Sequence, residues 1–161
     1  MDGVGSICRA SQGQHDSDPT EVIDEHDATC SLVPSECRCK DASWLWADCA
    51  EYEEPWWCDR SGKWMLFPSS EEVDFAWTSV VDLLVRGKLG PIAKVATIRK
   101  AGDRRFQVIC VYTADHDNLE DVYRVLHALR HIPTPACTDL TLGYKTDEAT
   151  ISGLYTTSDV A

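Results

Sequence analysis

Three lysines stand in strand-like, otherwise apolar surroundings. Lys63 opens "GKWMLF", Lys94 interrupts "GPIAKVATI", and Lys145 lies in "GYKTD". An unpaired ammonium is costly to bury, so each must snorkel to water, pair with an acid or face a polar hollow. Strand alternation sets Ile92, Lys94, Ala96 and Ile98 on one side and Ala93, Val95 and Thr97 on the other. If Lys63, Lys94 and Lys145 project from one open sheet face, with Arg99 or Arg104 beside them, they form an anion site of phosphate size. A lysine crowded by like charges and held away from water is also a candidate general base, and Lys94 is placed for that role. No P-loop, G-x-S-x-G, H-E-x-x-H or dinucleotide G-x-G-x-x-G offers a competing chemistry. His116, His127 and His131 surround one predicted helix; the last two, four residues apart, read as helix surface rather than a metal pair.

The elements that must position these lysines follow from periodicity. "PSSEEVDFAWTSVVDLLVRGKLGP" predicts a helix: Ser69 and Glu72 make a capping box, and Val73, Trp77, Val80, Val81 and Leu84 fall on one face. Gly87 supplies its stop, and Gly90-Pro91 turns into the next strand. Strands over 92–98 and 105–113 are expected to flank a hairpin turn at Gly102-Asp103. The second of them is apolar on both faces and belongs in mid-sheet. A second helix is expected over 118–130, capped by Asp117 with Glu120, burying Leu119, Val122, Leu126 and Leu129. Two short strands, "LTLGYKT" and "TISGLYT", should follow. Trp44 and Trp46 alternate as strand neighbours do, while Trp56 and Trp57 follow Pro55 and read as a loop or second short strand. Indole rings are expensive to leave in water, so these are expected to pack as a lid on one sheet face. The order predicts an α+β fold, a mostly antiparallel sheet with helices on one face.

At 161 residues the chain suits one domain, and its net charge of −12 is unevenly spread. Residues 1–60 carry 14 acids against 4 bases, whereas the segment from Arg86 to Arg105 carries seven bases and one acid. That basic island suits a phosphate or short phosphorylated ligand, while the acidic whole argues against long nucleic acid. Residues 1–40 read as a disordered acidic leader and 41–161 as the α+β domain. No stretch has the secretory pattern or the roughly 20 apolar residues of a membrane span, so the cytosol or nucleus is expected and no membrane partner. The eight cysteines are then reduced thiols, with Cys110 in the core. Cys30, Cys37, Cys39, Cys49 and Cys58 cluster upstream, but their spacing matches neither paired C-x-x-C nor paired Cys with His, so no metal and no cofactor is expected.

"GKWMLF", "VDFAW", "GKLGPIAKVAT", "VICVYTAD" and "YKTD", in that order, resemble the basophilic leukaemia-expressed protein family across roughly Trp44 to Tyr155. The resemblance implies the fold of the cap-binding translation initiation factor, a curved antiparallel sheet backed by helices. More distantly, the chain is similar to bacterial phosphothreonine lyases, which remove phosphate by β-elimination. There a lysine, an aromatic and a histidine share one strand, and a K-V-T strand supplies the base. Lys63 and Trp64 match the first two positions and Lys94 the base, with Arg99 and Arg104 as the corresponding arginines. Met65 stands where the acidic histidine belongs and cannot donate a proton, which leaves Tyr112 as the candidate acid. The partner implied is a phosphorylated peptide. The cap-binding likeness implies instead a nucleotide or RNA stacked on tryptophan, and a third reading is an interaction domain without chemistry.

Overall fold

Alternation along five short strands decides which side chains meet. The computed structural model describes residues 26, 29–40, 42–52, 59–133 and 141–151. Strands β1 (Trp44–Asp48), β2 (Gly62–Leu66), β3 (Ile92–Ala96), β4 (Ile109–Thr113) and β5 (Leu142–Thr146) form one sheet in the order β1-β3-β4-β2-β5. Every neighbouring pair is antiparallel, and the apolar β4 lies at the centre as expected.

On one sheet face Leu45, Ala47, Trp64, Leu66, Ala93, Val95, Ile109 and Val111 merge into the hydrophobic core with helices α1 (Val73–Val85) and α3 (Leu119–Arg130). Each fully buried Val, Leu or Ile among them contributes roughly 1.5–3 kcal/mol, so this face holds the molecule together. The capping box before α1 is met only in part: the Ser69 N–H lies 3.4 Å from the Glu72 carboxylate, and the Ser69 hydroxyl donates to that carboxylate at 2.8 Å. Glu72 is itself the N-cap, however, and the Ser69 backbone carbonyl, not its hydroxyl, accepts from the Glu72 and Val73 N–H groups. Val73, Ala76, Trp77, Val80, Val81 and Leu84 are its buried stripe, and Gly87, at φ 68°, carries the chain out of the helix. In α3 the cap is Asn118 rather than Asp117; its side chain accepts from the Asp121 N–H. Val125 takes the stripe position assigned to Leu119, which is 60% exposed at the helix entrance.

Three further expectations are corrected. Gly102-Asp103 is not a hairpin turn. Thr97 caps a single helical turn, α2 (Ile98–Ala101), by accepting from the Lys100 N–H and donating to the Ala42 carbonyl at 3.0 Å. The β-branched residues that read as strand are here a cap and a first turn, and Gly102 leaves it at φ 58°. Thr150 and Ile151, read as the start of a strand, belong to α4 (Asp147–Ile151); the rest of "TISGLYT" lies outside the described residues, as do Trp56 and Trp57. Residues 29–40, assigned to the leader, pack on the domain. Cys37 is 2% exposed, the Pro34 carbonyl accepts from Ile98 N–H at 2.9 Å and from the Gln107 side-chain amide at 3.0 Å, and Ser35 N–H donates to Asp74 at 3.0 Å. Among the described residues no helix is long and apolar enough to cross a membrane.

Candidate functional site

The face turned away from α1 and α3 carries the unusual residues. Register sets Lys63 opposite both Tyr112 and Lys145, Lys94 opposite both Trp46 and Cys110, and Trp44 opposite Ala96. Since strand partners share a face, Lys63, Lys94, Lys145, Tyr112, Trp44 and Trp46 all project to the same side. The three lysines are only 8–9% exposed. Such burial of like charges requires compensation, and the surrounding side chains provide it.

Lys94 Nζ lies 4.3 Å from the centre of the Trp44 ring, 4.7 Å from that of Trp46 and 5.8 Å from that of Tyr112. Ring faces attract a cation over these distances, by about 2 kcal/mol or more where water is excluded. Lys63 instead meets a carboxylate: its Nζ donates to Asp147 at 2.8 Å and sits 5.1 Å from the Tyr112 ring centre. The Ser61 hydroxyl donates to the other Asp147 oxygen at 2.5 Å. Asp147 and Ser61 were not singled out in the sequence, although "KTD" places the acid two residues beyond Lys145. Lys100, from the basic island, reaches the Trp44 ring at 5.0 Å.

The other sequence-predicted residues are placed differently. Trp64 lies on the core face, 2% exposed, its indole N–H donating to the Val122 carbonyl at 3.0 Å and its ring edge-on to Tyr144 at 4.9 Å. It cannot touch a ligand on the lysine face, because one residue of alternation separates it from Lys63. Arg99 and Arg104 are exposed on α2 and just beyond it, and no described contact joins them to the lysines. Cys110 is buried, as expected, but beneath the lysines rather than in the helix-packed core. Burial pushes its thiol up, against the opposing pull of Lys94 and Lys63.

Residues 58–150 match the family model of basophilic leukemia-expressed protein Bles03. The chain belongs to that family. Comparison with curated proteins found no match. Among solved structures, the chain is similar to C. elegans eIF4E-3 in complex with the 4E-binding protein Mextli and a cap analog. Identity is 15%, coverage 68% of this chain and 65% of that one, and the TM-score 0.51. The complex of the same protein with Mextli gives 13%, 66%, 65% and 0.51. Ascaris suum eIF4E-3 with an m2,2,7G cap gives 12%, 64%, 61% and 0.49. The chain thus spans just under two thirds of these relatives. At such identity the first two establish the fold, an antiparallel sheet backed by helices like that of the cap-binding proteins, and not the ligand.

A second cluster lies at the start of the described chain. His26, Cys30, Cys37 and Cys39 each bring one metal-ligating atom to within 4.8 Å of the others. Sequence spacing argued against a metal here. Folding closes the gap: between Cys30 and Cys37 lies a turn in which the Val33 carbonyl accepts from the Glu36 N–H at 3.0 Å and the Cys37 N–H at 2.9 Å.

Proposed function

We propose that the lysine face of this Bles03-family domain binds a nucleotide, the base stacking on Trp44 and Trp46 and the phosphate held by Lys63, Lys94 and Lys145. The observation carrying this reading is the convergence of two indoles and three nearly buried lysines on one sheet face, with the Lys94 ammonium against both rings. Trp44 and Trp46 are half-buried, so part of each indole is accessible to a base. Asp147 pairs with Lys63 at the edge of this face. A phosphate monoester, which carries about −1.5 to −2 at neutral pH, is the anion expected to meet the lysines there. The complex of C. elegans eIF4E-3 with a cap analog makes a methylated cap nucleotide the first ligand to try.

Phosphothreonine elimination draws less support. Met65 offers no proton, and the candidate acid Tyr112 contributes its ring to the seats of Lys63 and Lys94.

Titration of the full chain with a methylated cap nucleotide, guanosine triphosphate and inorganic phosphate tests the proposal. Either nucleotide is expected to quench tryptophan emission, while phosphate raises the melting temperature without quenching. Trp46→Ala should abolish the quench, and Lys94→Met should weaken nucleotide binding at least tenfold, about 1.4 kcal/mol. Unchanged emission and melting with both nucleotides would refute nucleotide binding and favour an interaction domain. Loss of phosphoric acid from a phosphothreonine peptide, abolished by Lys94→Met, would restore the elimination reading.

A further inference from the structure

We propose that His26, Cys30, Cys37 and Cys39 form a structural zinc site that fastens the segment before β1 to the sheet.

The separations fit the metal. Zinc bonds cysteine sulfur at about 2.3 Å and histidine nitrogen at about 2.0–2.1 Å, so a tetrahedral site has sulfur–sulfur edges of about 3.8 Å and sulfur–nitrogen edges of about 3.5 Å. Cys30 Sγ and Cys37 Sγ are 3.6 Å apart, and Cys37 Sγ lies 3.4 Å from His26 Nδ1. The remaining separations, none above 4.8 Å, close to tetrahedral values with side-chain shifts of an ångström or less. Three thiolates and an imidazole are soft donors that select zinc over magnesium or calcium. Four protein ligands leave no open position, which makes the site structural rather than catalytic.

The surroundings are those of a ligand set. His26 Nε2 lies 3.1 Å from the Trp44 carbonyl. Donating there fixes the tautomer, leaving Nδ1 with its lone pair toward the sulfurs, the arrangement that orients metal-bound imidazoles. The Leu32 N–H points at Cys30 Sγ from 3.4 Å, a backbone donor placed for a thiolate. The cluster also joins elements far apart in sequence: the Cys37 carbonyl accepts from Arg99 N–H at the start of α2, and His26 holds β1 at Trp44, beside the lysine face.

Elemental analysis of the reduced full chain from zinc-supplemented growth is expected to show one zinc per chain. The metal should be retained in Cys8→Ser and lost in His26→Ala and Cys39→Ser. Cobalt titrated into the metal-free wild-type chain should give intense tetrahedral d–d bands with thiolate charge transfer, a readout independent of whether the variants fold. Chelation should lower the melting temperature. Zinc retained in both ligand variants would place the metal elsewhere and overturn the site. So would a wild-type chain that purifies metal-free and gives no thiolate–cobalt band, or one in which Cys30 and Cys37 are joined as a stable disulfide. None of these readouts depends on nucleotide binding.

Discussion

At the scale of single residues, two of the buried lysines meet different partners. Lys94 is seated among rings and Lys63 against Asp147, with side-chain exposures of 11% for the lysine and 23% for the acid. Removing one member of such a pair strands the other in a poorly hydrated place. Asp147→Ala is therefore expected to lower stability by about 1–3 kcal/mol in urea unfolding, less than for a fully enclosed pair because some water reaches the acid. Inorganic phosphate should stabilise this variant more than the wild-type chain, since an added anion takes over the place of the lost carboxylate. Equal stabilisation of the two would mean that phosphate binds away from Lys63. The lysines were legible because their types clash with the surrounding strand pattern. Asp147 was not, because an acid in a polar stretch announces nothing until folding brings it to a partner 84 residues away.

Among the elements, β4 is the one on which the site is mounted. It carries Cys110 and Tyr112 between the Lys94 and Lys63 strands, and its path is held by Gly90, in the connection leading into β3. A Cβ on Gly90 would stand 1.8 Å from the Tyr112 carbonyl oxygen and 3.0 Å from the carbonyl carbon, so backbone rather than a flexible side chain would have to move. Gly90→Ala is expected to destabilise the fold by about 2 kcal/mol or more, as overpacking against rigid atoms does. It should also weaken ligand binding, because Tyr112 shifts with its backbone; thermal melting and tryptophan quenching read the two effects. A melting temperature equal to that of the wild-type chain would remove this contact from the account. Helix periods, the pairing of Ser69 with Glu72 before α1 and the central place of β4 were visible in residue order, since each depends on neighbours within one turn or strand. The exchange of a hairpin for α2 was not. It is decided by Thr97 reaching Ala42, a partner 55 residues away.

For the molecule as a whole, residues 29–40, expected to belong to the leader, pack on the sheet domain. The segment 29–40 supplies the Pro34 carbonyl to the buried Gln107 amide and places Cys37 in the interior. A chain beginning at Asp41 leaves that amide with one partner fewer, a loss of roughly 1–3 kcal/mol, and also exposes the surface under Cys37. Its urea midpoint is expected to fall clearly, by the equivalent of about 2 kcal/mol or more. An unchanged midpoint would restore the boundary at residue 40. By itself the residue order determined the α+β class, the two long helices and the presence of lysines that needed an explanation, because patterns of period 3.6 and 2 are written locally. Only the tertiary structure decided which side chains share a hollow. Alternation sends Trp64 into the core and Lys63 to the opposite face, and registry across five strands seats Lys94 between the indoles of β1 and the ring of Tyr112. Chain reversal gathers a histidine and three cysteines whose spacing matched no metal pattern. Contacts between residues distant in sequence depend on packing and strand order, which no local pattern encodes.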